Sequence, residues 1–308
     1  MKCKVKEMRM KGSIEIKLSN KKTWWRADKA TLIRQITSVI ESYQSRHIAL
    51  TLRQLYYQLV SQKIRVMPND AKTYKKLGDM VTDLREAGIV DWDAIEDRHR
   101  DLETPVRFAD VPSALDSLAD QYRADRQRDQ PNYLECWIEK AALASLAYDI
   151  TSRYSIPLLV SRGYNSATAI WEASRRFLAS TRPVKILYMG DHDPSGLDMV
   201  RDISARLHLY APDADVEVIR VALLESQVQE HSLPPNPIKD KDARKGWYRD
   251  NYGDDTWELD ALDAAIFQSL LEHAIHDFFD IPRLQRILSE ETSDRLVIQA
   301  VAAASKAI

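Results

Sequence analysis

The stretch between residues 134 and 222 alternates short apolar runs with longer segments of helical periodicity. The pattern predicts strands at 134–139, 156–162, 184–190 and 216–222, separated by helices at 140–154, 165–180 and 195–210. Strands that alternate with helices form a mostly parallel sheet that is covered by helices on both faces. Ligands bind beyond the carboxyl ends of the strands in such sheets, so polar residues at those positions are the first candidates for a functional site.

Three acidic residues lie at the ends of the first and third predicted strands. Glu139 ends the first strand in the string WIEKAA, and Asp191 and Asp193 follow the third in GDHDPSG. Side chains two residues apart in an extended segment point the same way, so the two aspartates can share one cation. Carboxylate oxygens suit Mg²⁺, which also takes phosphate oxygens. The pattern therefore favours a magnesium site equipped for phosphoryl transfer.

Each acidic residue also has a structural interpretation. Asp193 before a proline is typical of a helix start, with the aspartate as N-cap, and Glu139 could simply begin its helix. Glu258 and Asp260 could add acidic groups to the metal site, but Asp260 is also a good N-cap for a predicted helix at 261–279, and we favour the cap. No histidine has the spacing of a zinc ligand, and no GxxxxGK[ST] string indicates a P-loop.

The region 27–110 is predicted to be mostly helical. Helices are expected at 27–47, from Thr51 onward and at 73–87, with Gly88 closing the third. Residues 89–100 are extended in character and could form a wing, which would make this a winged-helix domain with its third helix in a DNA groove. The basic residues that would contact DNA there are Lys72, Lys75, Lys76 and Arg85. An ordinary solvated helix face explains the same charges equally well.

The first 26 residues are strongly basic, with nine Lys or Arg against two Glu, although the whole chain has a net charge of −2. Such an arm, carrying Trp24 and Trp25, could lie along DNA phosphates or be a solvated tail. No apolar run reaches the roughly 18 residues that a membrane helix needs. The two cysteines make no disulfide framework, so we expect a cytoplasmic, nucleoid-associated protein.

Four strings resemble the A subunit of DNA topoisomerase VI and the related meiotic double-strand-break proteins. TLRQLYYQL at 51–59 is similar to the Arg-x-x-Tyr-Tyr helix of that family, and WIEKAA to its Glu-Lys segment. SRGYNSAT at 161–168 is similar to its Lys-Gly-aromatic stretch, and GDHDPSG to its Asp-x-Asp-Pro-x-Gly. The resemblance covers roughly residues 51–223 and implies an α/β chain with a winged-helix domain at 27–110, a linker helix at 111–131 and a Toprim domain with a mostly parallel four-stranded sheet at 132–223. The charge and periodicity of the remaining sequence add a basic arm at 1–26 and a C-terminal extension with helices at 224–308.

The resemblance implies a magnesium-dependent break in DNA. Tyr57 would attack a backbone phosphate, while Glu139 and the two aspartates hold the ion. Arg53 lies four residues before Tyr57 on the same helix face, where it could lower the pKa of the phenol or bind the phosphate. Two alternatives stay open: a Toprim nuclease that uses water and in which Tyr57 is structural, and a DNA-binding module without chemistry.

The sequence departs from the family pattern at three positions: Arg162 replaces a lysine, Asn165 stands where a proline is common, and Ser195 replaces an aromatic residue. The chain is short for such a subunit, and the string YGDDTWELDAL at 252–262 has no counterpart that we can assign. These departures weaken the expectation of strand passage more than that of metal binding. We expect Arg162 to contact phosphate or a site carboxylate. The implied partners are double-stranded DNA, a second copy of the chain and possibly a separate ATPase subunit.

Overall fold

The computed structural model describes residues 7–10, 13–17, 22–46, 48, 50–61, 71–96, 105–161, 163–238 and 242–306. The chain divides into two compact units. The first contains residues 1–100 and 232–236, and the second contains residues 101–231 and 237–308. None of the helices in the described part of the chain is long and apolar enough to cross a membrane.

The first unit combines three helices with short strands. Its elements are β1 (Glu7–Met10), β2 (Ser13–Lys17), β3 (Lys22–Arg26), α1 (Ala27–Gln44), β4 (Leu50–Thr51), α2 (Leu52–Ser61), α3 (Ala71–Glu86) and β5 (Ile95–Glu96). The three predicted helices are present, and they bury an aliphatic core made of Ile36, Leu50, Leu55, Leu77 and Leu84.

The described part of the basic arm forms an antiparallel sheet, in which β2 pairs with both β1 and β3. The sequence analysis did not predict these strands. The alternation of apolar and polar residues in SIEIK (13–17) is the period-two signal that indicates them. The side chains of Trp24 and Trp25 lie outside the described residues.

The end of α3 follows from Gly88, as predicted. Its φ of +67° is left-handed, and its N–H donates to the carbonyl of Arg85 at 2.9 Å. The segment after it differs from the expected wing. Within the described residues, β5 pairs in parallel with β4 rather than forming an antiparallel hairpin. Because 97–104 lie outside the described residues, the winged helix stays a prediction.

The second unit is built on a four-stranded parallel sheet, as predicted. The strands are β6 (Tyr133–Ile138), β7 (Leu158–Val160), β8 (Val184–Met189) and β9 (Val216–Ala222), in the order β7-β6-β8-β9. The connecting helices are α5 (Ala144–Thr151), α6 (Ala167–Leu178) and α7 (Pro194–Tyr210). In chain order the strands run 2-1-3-4, so the connection reverses between β6 and β8. That position is the switch point where open α/β sheets bind ligands.

Both faces of this sheet are covered. On one face, α6 and α7 pack over Trp137 and Tyr188, which are fully buried. The remaining elements of the second unit are α4 (Val111–Gln121), α8 (Glu225–Glu230), β10, which begins at Asn236 of the first unit (Asn236–Pro237), α9 (Lys245–Tyr252), β11 (Asp255–Thr256), α10 (Ala264–His276) and α11 (Ile281–Ser305). Helix α10 contacts α5, β8 and β9, and α11 packs along α4.

The predicted linker helix at 111–131 is only partly helical, because α4 ends at Gln121. Tertiary contacts override helical propensity in the residues that follow. Arg126 forms a buried ion pair with Glu291 of α11 at 2.8 Å, and the side chain of Gln127 receives the backbone N–H of Leu134 at 2.8 Å. These contacts tie the segment to α11 and to β6, and a continuing helix could not make them all.

Candidate functional site at the carboxyl edge of the sheet

Glu139 and Asp191 meet at the switch point, as the sequence predicts. The register pairs Ile138 with Met189, and the N–H of Glu139 donates to the carbonyl of Met189 at 2.9 Å. The Oε2 atom of Glu139 then accepts the backbone N–H of Asp191 at 3.0 Å. The ends of two neighbouring strands therefore bring these acidic residues together.

Two glycines in GDHDPSG make room for this approach. A Cβ atom on Gly190 would lie 2.9 Å from Oε2 of Glu139 and 2.7 Å from the hydroxyl of Tyr188. A Cβ atom on Gly196 would lie 2.3 Å from the carbonyl oxygen of Asp191. A larger residue at position 196 would require movement of the loop backbone, and one at position 190 would displace the side chains of Tyr188 and Glu139. The glycine spacing in this string is therefore explained by the close packing around the acidic residues.

Asp193 has the structural role that the sequence offered as an alternative. Its Oδ1 atom accepts the N–H of Gly196 at 2.6 Å and caps α7, with Pro194 in the first turn. As the side chains stand, no three His, Cys, Asp or Glu residues in the described part of the chain form a group that could hold a metal ion. Glu139, Asp191 and Asp193 nevertheless carry carboxylate oxygens, which are the type of ligand that a hard divalent cation such as Mg²⁺ prefers.

Lys140 places its ammonium group among three carboxylates, those of Asp191, Glu258 and Asp260. Its Nζ atom is 2.6 Å from Oδ2 of Asp191, 3.2 Å from Oε2 of Glu258 and 3.7 Å from Oδ1 of Asp260. The backbone N–H of Leu259 donates to the other oxygen of Asp191 at 2.8 Å. The C-terminal segment that the sequence left unassigned thus supplies part of this site.

The favoured interpretation of Asp260 as a helix cap is wrong. Helix α10 begins at Ala264, and its N-cap is Asp263, whose side chain accepts the N–H of Ala265 at 2.8 Å. Asp260 lies instead in the 3₁₀ turn Leu259–Ala261 and is fully buried. Asp260 and Asp263 both precede the helix, so the preference for aspartate at the N-cap could not distinguish them. The attraction of Lys140 favours the buried position of the Asp260 side chain.

Arg220 of β9 holds the loop that carries the two aspartates. Its guanidinium donates to the carbonyl oxygens of Leu223, Gly196, Gly190 and Asp191, at distances from 2.5 to 3.2 Å. Burial lowers the pKa of this side chain, although the nearby carboxylates oppose the shift. Sequence analysis missed this residue. Its signal is a charged side chain inside the otherwise apolar end of a strand.

His192 points away from the acidic residues, as the alternation of an extended segment predicts. It is buried, and its Nδ1 atom lies 2.8 Å from the hydroxyl of Tyr248. Its backbone pairs in both directions with that of Trp257, and burial lowers the pKa of the imidazole. The histidine therefore joins the C-terminal segment to the loop after β8.

The electrostatics of the site favour a positive charge. Burial raises the pKa of Glu139, and the charge of Asp193 adds to the shift. Burial likewise raises the pKa of Asp191, with a further contribution from Glu139. Burial opposes the charge of Lys140, yet the surrounding carboxylates outweigh it and raise the pKa of the ammonium group. Carboxylates crowded in this way are stabilised by a cation placed between them.

The proposed nucleophile, Tyr57, lies in the first unit and is 4% exposed. Its ring packs edge-on against that of Tyr56, with centroids 5.6 Å apart, and the guanidinium carbon of Arg53 lies 5.7 Å from its centroid. Both Tyr56 and Tyr57 are buried.

The candidate DNA-contacting residues have different surroundings. Lys72, Lys75 and Lys76 are exposed on α3, which suits either DNA contact or a solvated face. Arg85 instead donates to the carbonyl oxygens of Trp92 and Ile95, which ties the end of α3 to the segment that follows. Arg162 lies outside the described residues.

Comparison of the sequence with models of protein families and with curated proteins finds no match. The resemblance to the topoisomerase VI A subunit therefore rests on the quoted strings and stays a prediction. The features established for this chain are an α/β unit with a four-stranded parallel sheet, and a cluster of acidic residues at the switch point of that sheet.

Proposed function

We propose that this protein cuts the DNA backbone in a magnesium-dependent reaction at the carboxyl edge of its parallel sheet. The observation that carries the proposal is the contact between Glu139 and Asp191 at the switch point, with Asp193 in the same loop. Acidic residues gathered where such sheets bind ligands suit a hard cation and a phosphate. Double-stranded DNA as the substrate follows from the resemblance.

The residues of the site would have different roles in the reaction. Glu139, Asp191 and Asp193 would hold the ion, which supplies Lewis-acid stabilisation of the charge on the phosphate. Arg220 fixes the loop that presents the two aspartates.

We favour water as the nucleophile, because the phenol of Tyr57 is buried. The second candidate is attack by Tyr57, which would leave the protein covalently attached to DNA. It is supported by the resemblance and by the position of Arg53 beside the tyrosine ring. A homodimer in which Tyr57 works with the metal site of a second copy, and a separate ATPase subunit, belong to this second candidate.

Incubation with supercoiled plasmid and Mg²⁺, followed by denaturation, tests both candidates. Asp191→Asn is expected to lower the cleavage rate about 100-fold or more, since it removes a charge that holds the ion. Tyr57→Phe is expected to change the rate less than about twofold if water attacks. The exposed Asp213 offers a control, because Asp213→Asn changes a carboxylate away from these contacts.

The outcomes separate the candidates. Cleavage without attached protein, which survives Tyr57→Phe and is lost in Asp191→Asn, supports the nuclease. DNA attached to protein, with attachment lost in Tyr57→Phe, supports the tyrosine mechanism. Absence of cleavage with Mg²⁺ or Mn²⁺ contradicts the proposal and favours a DNA-binding module without chemistry.

A further inference from the structure

We propose that Lys140 is an internal counter-ion that a divalent cation displaces from Asp191, and that Glu258 and Asp260 receive the displaced ammonium. The inference rests on the proposed function, since it concerns the same metal site. It assigns to Lys140 a positioning role that controls how tightly the site binds its ion.

The carboxylate of Asp191 is engaged at both oxygens. The N–H of Leu259 donates to Oδ1 at 2.8 Å, and the ammonium of Lys140 lies 2.6 Å from Oδ2. A divalent cation that takes this carboxylate meets a positive charge already in place, and like charges at such distances repel strongly in a buried site. The ammonium therefore has to move when the ion binds.

Two further carboxylates, those of Glu258 and Asp260, lie close enough to bind the ammonium group after it leaves Asp191. Glu258 is 3.2 Å and Asp260 is 3.7 Å from Nζ of Lys140, so both lie farther away than Asp191 but within reach of a small side-chain rotation. Asp260 is fully buried and needs a nearby positive charge, because an uncompensated buried charge is strongly destabilising. Transfer toward this pair keeps Asp260 compensated while it frees Asp191.

A lysine suits this exchange better than an arginine would. Its ammonium is a compact charge on a flexible stem, whereas a guanidinium requires a fixed planar arrangement of acceptors. Lys185 provides the contrast within the same sheet. It pairs with a single carboxylate, Glu217, at 2.7 Å, where a simple ion pair accounts for its position.

The test compares Mn²⁺ binding by the full-length wild type, Lys140→Met and the control Lys185→Met, measured by calorimetry and by electron paramagnetic resonance of free Mn²⁺. Methionine keeps most of the side-chain volume and removes the charge. We expect Lys140→Met to bind Mn²⁺ about tenfold more tightly than the wild type, since a competing charge is gone. Lys185→Met should match the wild type. Thermal unfolding gives a second signature: without Mn²⁺ the Lys140→Met protein should melt lower, and Mn²⁺ should raise its melting temperature more than that of the wild type.

Equal or weaker Mn²⁺ binding by Lys140→Met, with binding by the wild type intact, overturns the counter-ion role and leaves the proposed function standing. Absence of Mn²⁺ binding by every variant overturns both. If Lys140→Met does not fold in the absence of a cation, refolding with increasing Mn²⁺ decides the matter. Recovery supports the proposal, and failure at every concentration indicates that Lys140 is only structural.

Discussion

Two glutamates of the same sheet have opposite surroundings. Glu135 lies within β6, and its carboxylate accepts two hydrogen bonds from Arg176, at 2.9 and 3.0 Å, and one from the indole of Trp137 at 2.9 Å. Glu139, four residues later, lies instead among other acidic residues. Hydrogen-bond donors surround the first carboxylate, whereas burial, with a further contribution from the charge of Asp193, raises the pKa of the second. The comparison shows that burial alone does not identify a candidate functional carboxylate. The charged groups and hydrogen-bond donors around a buried carboxylate distinguish a structural residue from a candidate metal ligand.

The largest effect is expected at the structural glutamate. Glu135→Gln should lower the free energy of unfolding by about 2 kcal/mol, because a neutral amide replaces a buried carboxylate that accepts charge-assisted hydrogen bonds from Arg176, whose own side chain is partly exposed. Chemical denaturation measures this change. Mn²⁺ affinity should stay unchanged, and a loss of affinity would show that the two glutamates are not independent. The ion pair between Lys185 and Glu217 offers a control. Because Glu217 is exposed, Glu217→Gln should change the free energy of unfolding by less than about 0.5 kcal/mol.

A smaller effect is expected at Arg220, which holds the loop that carries Asp191 and Asp193. Arg220→Lys should lower the cleavage rate about 10- to 100-fold, because one ammonium cannot bind four carbonyl oxygens of the loop at once. Plasmid cleavage at saturating Mg²⁺ measures the rate. Arg206→Lys is the control on α7, where the arginine contacts Asp202 and the carbonyl of Asn165. An equal loss in both variants would show that the role of Arg220 is not specific.

The smallest expected change in the free energy of unfolding is at Glu139, and its sign is opposite to that expected at Glu135. Glu139→Gln should raise the free energy of unfolding by about 1 kcal/mol at neutral pH in metal-free buffer, although it should abolish cleavage. The pKa of Glu139 is raised in the folded state, so ionisation weakens the fold as the pH rises above 4.5, the ordinary value. The gain should therefore vanish below pH 4.5. A destabilised Glu139→Gln protein at pH 7 would remove the distinction between the two glutamates.

The sequence predicted the sheet well because its strands are buried apolar runs bounded by turns. The predicted strand at 216–222 agrees with β9, and Glu139 and Asp191 were expected at one edge of the sheet because both follow strands of a parallel sheet. The sequence offered Glu258 and Asp260 as possible additions to the acidic residues but could not decide between that and a cap, because their positions depend on tertiary packing of a segment more than 100 residues away in the chain. Capping rules apply to many polar residues before a helix, and they led to the wrong choice for Asp260.

The basic N-terminal region shows a different cause of error. Its lysines suggested an arm, and the charge count obscured the alternation in SIEIK that indicates a strand. Conversely, Arg220 was overlooked because one charged residue in a strand is common at the rim of a sheet. Only the four carbonyl oxygens that surround its guanidinium identify it as a support of the loop.

The contribution of residues 258–260 to the site has a consequence for protein synthesis. The sheet ends at Ala222, so its strands leave the ribosome before the segment that contacts Lys140 and Asp191. Domains begin to fold as the chain emerges, from the N-terminal side. The acidic edge is thus completed only after a further stretch of chain has been made. For a protein proposed to cut DNA, this order delays activity until residues 258–260 have been made and have packed against the sheet.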